Sequence, residues 1–388
     1  MALESEIRLG IDASNLRIGG GITHLTELLR IAEPEEYGIT SVIVWGNEHM
    51  LSAIEPRDWL IKKSEPLCNR SLFHRQYWQR FRISRHAEQE ECDLLFVPGG
   101  SFTGTFRPFV TMCRNMLPFE WRETRRYGFS WLTLKNIMLR RYQLRTFKRA
   151  DGLIFLTQYA RDSVLRTIKN HNGKVEIIPH GIHERFSCLP RSQKQLEEYS
   201  DSDPIRILYV SKVDAYKHQW NVAEAVAGLR DSGLPAVLDL VGPPGRGTPR
   251  LERVLKCVDP DGTVIRSRGP VPYQDLPGLY KRADINVFAS SCENMPNILL
   301  EGMASGLPIA CSDRGPMPEV LGEAGVYFDP EKPDEIADAL RSFIESPELR
   351  LIKAEAAYNK ARQYTWKRCA AETFEFLMRI YRDYYKKV

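Results

Sequence analysis

The stretch Ala283–Pro308, ADINVFASSCENMPNILLEGMASGLP, decides how the rest of the chain is read. Ile285, Val287 and Phe288 form a short apolar run, the mark of a strand buried on both faces. Residues 289–294 turn the chain, and Pro296 opens a helix, because a proline lacks only an N–H that would have no partner in a first turn. The helical pattern runs through Ile298, Leu299, Leu300, Met303 and Ala304 until Gly306 and Pro308 stop it. Two carboxylates punctuate this unit, Glu293 before the helix and Glu301 two turns along. Eight residues at helical rise span about 12 Å, the separation of the two sugars of a nucleotide diphosphate sugar. The first-turn amides around Asn294-Met295-Pro296-Asn297 would supply an anion-binding end for the diphosphate between those sugars. A carboxylate suits a sugar because it accepts two hydroxyl hydrogen bonds at once. The plainer alternative is that Glu293 caps a helix and Glu301 lies on its solvated face.

Outward from this unit the pattern repeats. Ile205–Val210 (IRILYV), Val237–Val241 and Ile285–Phe288 are apolar runs separated by helix-length segments. That alternation predicts βαβ units and a parallel sheet. Ala310–Asp313 and Gly325–Phe328 add edge strands. The first of these runs leads into Ser211-Lys212-Val213-Asp214-Ala215-Tyr216-Lys217-His218. This segment places two lysines, Lys212 and Lys217, just past a strand end. The first half repeats the strand signal in RLGID (Arg8–Asp12), SVIVW, LLFV, FVTMC and GLIFL. Gly19-Gly20-Gly21 follows the opening strand, where backbone can approach a ligand above the strand's carboxyl end. It is not GxGxxG, and no acidic residue completes a dinucleotide fingerprint, so NAD is set aside.

Glu-x7-Glu, with ENMPN before the helix and EGMASGLPI after it, resembles the retaining glycosyltransferases of the GT-B fold, glycosyltransferase family 4. The resemblance implies two Rossmann-like doubly wound parallel-sheet domains facing a central cleft, with a C-terminal helix crossing back. The domains expected are 1–195 for acceptor binding, 196–365 for the nucleotide-sugar and 366–388 for the returning helix, which Thr365 caps. Residues 186–204, polar with two prolines, read as the interdomain linker. By resemblance Glu293 binds donor-sugar hydroxyls and Glu301 the ribose. Lys212 and Lys217 clamp the diphosphate, Gly20 and Gly21 face donor phosphate and acceptor, and the backbone around Val271 faces the nucleobase. Asn115 stands where many relatives carry a histidine, so it can hydrogen-bond a sugar hydroxyl but cannot take a proton. A plain strand-end turn is the alternative there. The resemblance further implies retention of configuration. No metal or other cofactor is expected, since lysines and a helix terminus do the neutralising. Asp201-Ser202-Asp203 imitates an Asp-x-Asp metal site but falls in linker composition.

The expected activity is transfer of a hexose, mannose from GDP-mannose by preference, to a saccharide or lipid-linked acceptor in surface polysaccharide or lipopolysaccharide synthesis. UDP-sugars remain open, as does a non-catalytic sugar-nucleotide-binding subunit.

Composition bounds the rest. At 388 residues and 43% apolar, the chain is long enough for two cores. No run approaches the 18 or so apolar residues of a membrane span, and the N-terminus lacks a signal-peptide core. Eight cysteines without CxxC pairs fit reduced thiols and a cytoplasmic setting. Net charge is +4, but residues 70–149 hold 16 Lys and Arg against 6 Asp and Glu. The basic residues interleave with aromatics, as in FHRQYWQRFR and EWRETRRYGFSWL. That pattern suits peripheral contact with anionic lipid at the inner membrane face, or a diphosphate-linked acceptor. Solvated helix faces are the bland alternative, and no recognised nucleic-acid motif accompanies the charge.

Overall fold

A computed structural model of the chain describes residues 6–17, 19–168 and 171–386. The chain divides into two units: Met1–Phe119, Ser130–Gly181 and Thr365–Val388 form the first, Glu120–Phe129 and Ile182–Tyr364 the second. Each is built on one parallel sheet.

The first sheet contains β1 (Ile7–Asp12), β2 (Ile39–Gly46), β3 (Leu60–Ser64), β4 (Leu94–Val97), β5 (Phe109–Met112), β6 (Gly152–Phe155) and β7 (Lys174–Ile177). Their order is β3-β2-β1-β4-β5-β6-β7, every neighbouring pair parallel. The apolar runs are the central strands, and β4, β5 and β6 are buried along their whole length. Edge strand β3, LIKKS, has no apolar run to announce it, since only Leu60 in it is buried. At its centre, Gly10 of β1 leaves room for the Trp45 ring, which a Cβ would meet at 3.0 Å.

The second sheet contains β8 (Ile205–Val210), β9 (Ala236–Val241), β10 (Ile265–Gly269), β11 (Ile285–Phe288), β12 (Ile309–Ser312) and β13 (Gly325–Phe328). Its order is β10-β9-β8-β11-β12-β13, again all parallel. In each sheet the winding reverses once, between β1 and β4 and between β8 and β11. Loops that leave adjacent strands at such a point diverge and open the crevice where doubly wound sheets bind ligands.

Three segments are placed differently from the sequence expectation. The division after the first sheet falls at Gly181/Ile182, ahead of 195/196. Residues 186–204 are packed onto the second unit: the buried Phe186 ring packs tilted against Tyr273 and edge-on to Tyr280, and Arg191 pairs with Asp284 at 2.7 Å. Fully buried Arg350 reaches them from the helix Pro347–Ala361, donating to Gln193 Oε1 at 3.1 Å and to the Lys194 carbonyl. Polar composition suggested a linker because it omits the distant arginine that satisfies those polar groups. Residues 120–129 leave the first unit and belong to the second.

The last helix, Trp366–Tyr385, groups with the first unit, its N-terminus capped by Thr365, whose hydroxyl accepts from Arg368 N at 3.1 Å. A Cβ on Gly152 would meet Ile380 at 2.8 Å and Phe376 at 2.9 Å, so that glycine lets the helix lie directly on β6.

Candidate functional site

Adjacency of β8 and β11 decides the site in the second unit. The loop after β8 carries Lys212 and Lys217, and the loop after β11 carries Glu293. Ser291 N–H donates to the Tyr216 carbonyl at 2.8 Å, stitching one loop to the other. Lys217 and Glu293, 76 residues apart, meet there in an ion pair. Lys217 is buried, its ammonium lying 5.3 Å from the ring centres of both Tyr216 and Phe288. A buried ammonium needs such a partner, because leaving it unpaired costs several kcal/mol. Its backbone is fixed too: Lys217 N donates to Asp214 O at 3.0 Å, and Tyr209 Oη donates to Lys217 O at 2.6 Å. Lys212 differs. Its side chain is 56% exposed and its nearest acid is Asp214 Oδ2 at 3.7 Å.

A polar network surrounds the pair. His218, at φ +52°, offers Nε2 to Ser291 Oγ at 2.9 Å, and Ser291 Oγ donates to Glu123 Oε2 at 2.7 Å. Burial, and after it the Arg126 charge, lower the His218 pKa to about 4, so the ring is neutral at pH 7. Because the serine proton goes to a carboxylate, which only accepts, the neutral imidazole carries its proton on Nε2.

Glu301 is the fifth residue of the helix Asn297–Ala304 and is 4% exposed. Tyr273 and Tyr280 donate to its two oxygens at 3.1 and 3.3 Å. Desolvation outweighs these bonds and raises its pKa to about 7. A carboxyl at this depth discriminates for hydroxyl donors, since an unmatched buried oxygen is costly.

Pro296 is the cap residue of that helix and precedes its first turn. Residues 293–296 are therefore not helical, and the 12 Å separation inferred from helical rise does not apply. The first-turn amides are also partly engaged: Asn297 N–H donates to Met295 O at 3.0 Å and Leu299 N–H to Pro296 O at 2.9 Å. The ENMPN turn thus consumes donors that the sequence reading reserved for phosphate. Asn294 and Met295 are buried and Asn297 half-buried. Val271 is half-buried just after β10.

In the first unit, Gly20 and Gly21 begin the helix Gly20–Ile31, three residues earlier than Thr23, with Gly19 as cap at φ +69°. Arg114 donates to the Gly20 carbonyl at 2.5 Å. Asn115 is exposed, and its Oδ1 accepts from Leu117 N at 3.1 Å, a local turn after β5. Asp201 and Asp203 are neutralised by Arg230 and Lys194 at 2.6 and 2.7 Å. Among the described residues, no three His, Cys, Asp or Glu side chains gather as a metal site.

Sequence reading missed Tyr273, Tyr280, Asp214, Ser291, His218 and Glu123. Only one signal pointed to any of them: a Glu inside the apolar run ILLEGMA must find donors somewhere.

Residues 18–186 match the family model "Glycosyltransferase Family 4" and residues 191–361 match "Glycosyl transferases group 1". The chain superposes on a sucrose-phosphate synthase from Thermosynechococcus elongatus with TM-score 0.76 at 15% identity, covering 98% of this chain and 100% of that one. HepE of Anabaena in complex with UDP gives TM-score 0.67 at 16% identity, over 95% and 99% of the two chains. These define the class, a GT-B protein. By its paired domain matches, the chain belongs to the glycosyltransferase family 4-like proteins. O-antigen chain mannosyltransferase B of Escherichia coli is 35% identical over 109 residues, 28% of this chain and 29% of that protein. The first curated relatives are matched over 29% to 58% of their own length.

Proposed function

We propose that the chain is a hexosyltransferase that moves a sugar from a nucleoside diphosphate donor to a saccharide or lipid-linked acceptor in surface polysaccharide synthesis. One observation carries the reading: the buried Lys217 pairs with half-buried Glu293 at the reversal point of the second sheet, and eight residues after Glu293 lies a buried carboxyl held by two tyrosine hydroxyls. Such a carboxyl fits a ribose diol, whose two hydroxyls can replace the phenols donor for donor. Lys217 fits the diphosphate and Glu293 the donor sugar. Their mutual pairing keeps both charges satisfied until a donor presents a phosphate to one and hydroxyls to the other. Lys212, exposed and loosely paired, is free to swing to the outer phosphate. Asn294, Met295, Pro296 and Asn297 form the turn over which the diphosphate passes, and Val271 lies in the segment assigned to the base.

By the family resemblance, Gly20 and Gly21 of the first unit are proposed to face donor phosphate and acceptor, and Asn115 to hydrogen-bond a sugar hydroxyl. Transfer proceeds with retention and without a metal, the lysines meeting the charge that develops on the leaving diphosphate. GDP-mannose is the preferred donor, and the mannosyltransferase match supports it. UDP-sugars are the second reading, supported by the UDP-bound structural neighbour.

A peripheral contact with anionic membrane belongs to the same proposal. In the first unit a groove of about 760 Å³ is lined by Tyr77, Arg80, Phe81, Tyr142, Arg145 and Arg149, among others. Phe73, Phe81 and Trp131 are exposed on the helical segments that bear these residues. Exposed aromatics beside arginines suit a lipid interface.

Thermal-shift titration with UDP and GDP tests the donor site. One nucleotide should stabilise the protein by several degrees, and Glu301→Ala and Lys217→Ala should each remove most of that shift. If both variants keep the parent's shift, the site is misassigned.

A further inference from the structure

The segment Glu120–Phe129 is contributed to the second unit from the first half of the chain, and it lands on the two loops that carry Lys217 and Glu293. We propose that Glu123 and Tyr127 of this segment are positioning residues for the Lys217–Glu293 pair, an inference that rests on the donor-site reading above.

Two hydrogen bonds make the connection. Tyr127 Oη donates to Asp214 Oδ1 at 2.8 Å, the same oxygen that accepts from Ala215 N at 2.8 Å. Asp214 in turn supplies the carbonyl that receives the Lys217 amide, so the phenol pins the turn on which Lys217 is mounted. Glu123 Oε2 accepts from Ser291 Oγ, and the Ser291 amide bonds to the Tyr216 carbonyl. Ser291 lies two residues ahead of Glu293 and Tyr216 one ahead of Lys217, so the serine sets the spacing between the paired groups.

Glu123 is itself buried and is held by Arg126 Nε at 2.6 Å, with Arg126 also bonded to Glu331 at 2.6 Å. A buried carboxylate this fully engaged is a fixed anchor. Arg246 lies over the Tyr127 ring at 5.8 Å, and burial, with Asp214 after it, raises the phenol's pKa, so the hydroxyl stays a donor at any working pH. Two arginines of this segment are occupied: Arg122 and Arg126 both pair with Glu331.

The test is binding of UDP and GDP by calorimetry to the parent, Tyr127→Phe, Glu123→Gln, Ser291→Ala, Lys217→Met and the Tyr127→Phe/Lys217→Met double variant. Tyr127→Phe is expected to weaken the better-bound nucleotide roughly tenfold, the size of a typical coupling between contacting groups. In the Lys217→Met background the same change should have no further effect, because the residue acts through Lys217. Glu123→Gln keeps an oxygen for Ser291 and should lose less than Ser291→Ala. Unchanged affinity in both Tyr127→Phe and Ser291→Ala overturns the proposal, and so does an equal loss with and without Lys217. A parent that binds neither nucleotide overturns the donor-site reading instead, and this inference with it.

Discussion

Glu301 makes the sharpest statement available at the scale of one residue. Its folded pKa, about 7, lies above the ordinary 4.5. The unfolded chain therefore releases this proton first, and stability falls as pH rises from about 4.5 to 7, by roughly 3 kcal/mol in all. Below that window the contribution is neutral, and above it the full penalty of a buried charge remains. Glu301→Gln, which cannot ionise, should flatten the dependence of Tm on pH between 5 and 8, measured by calorimetry. A variant with the parent's slope would show that another group carries the effect. Ligand binding should mirror this. Hydroxyls that donate to both oxygens prefer the ionised form, so nucleotide affinity should rise between pH 6 and 8 and binding should release a proton. Calorimetry in buffers of different ionisation enthalpy reads that proton directly. Lys217 gives a complementary case: Glu293→Ala strips a buried ammonium of its counter-charge, and should destabilise the fold by about 3–5 kcal/mol, more than removing both partners together. Urea melts of the two single variants and the double variant check the ordering.

At the scale of elements, the segment 186–204 shows how a polar stretch becomes structure. Arg350 is fully buried, yet its guanidinium meets carbonyls at Phe343, Ile344 and Lys194 and the amide oxygen of Gln193. It joins the end of one helix, the start of the next and the incoming chain. Arg350→Met keeps the bulk but orphans those acceptors, and should cost about 3 kcal/mol, read as a lower urea midpoint with unchanged slope. The ENMPN turn teaches the opposite lesson. Its sequence promised free amides for an anion, but a proline cap closed the turn on itself. With the Asn297 and Leu299 amides engaged, the proposed anion contact at this helix depends more on Lys217 than on the peptide dipole.

For the whole molecule, charge distribution is the property that matters. The described helices are none of them long and apolar enough to cross a membrane. The excess of basic residues between 70 and 149 is partly spent on ion pairs within the protein, as Arg122 and Arg126 show by pairing with Glu331. Those two are poor candidates for lipid contact. Phe73, Phe81 and Trp131, which are 81%, 61% and 72% exposed, are better ones. Replacing these three by Ser should reduce sedimentation with anionic vesicles by at least about fivefold, while neutral vesicles show little binding to either protein. Equal sedimentation of parent and triple variant would remove the membrane from the proposal.

The sequence alone determined the central strands of both sheets, because strands buried on both faces must be apolar throughout, whereas edge strand β3 carries no such run. Resemblance to a family motif singled out Lys217, Glu293 and Glu301 within it. What it could not supply was the identity of those partners. Tyr273 and Tyr280 reach Glu301 from 28 and 21 residues away, and Glu123 reaches Ser291 across 168. Only the packing of β8 against β11 brings Lys217 to Glu293, and only the path of residues 120–129 delivers the hydroxyl and carboxylate that hold both loops. Local propensity fixes elements through near neighbours, whereas a site assembled from several loops exists only after the chain has closed on itself.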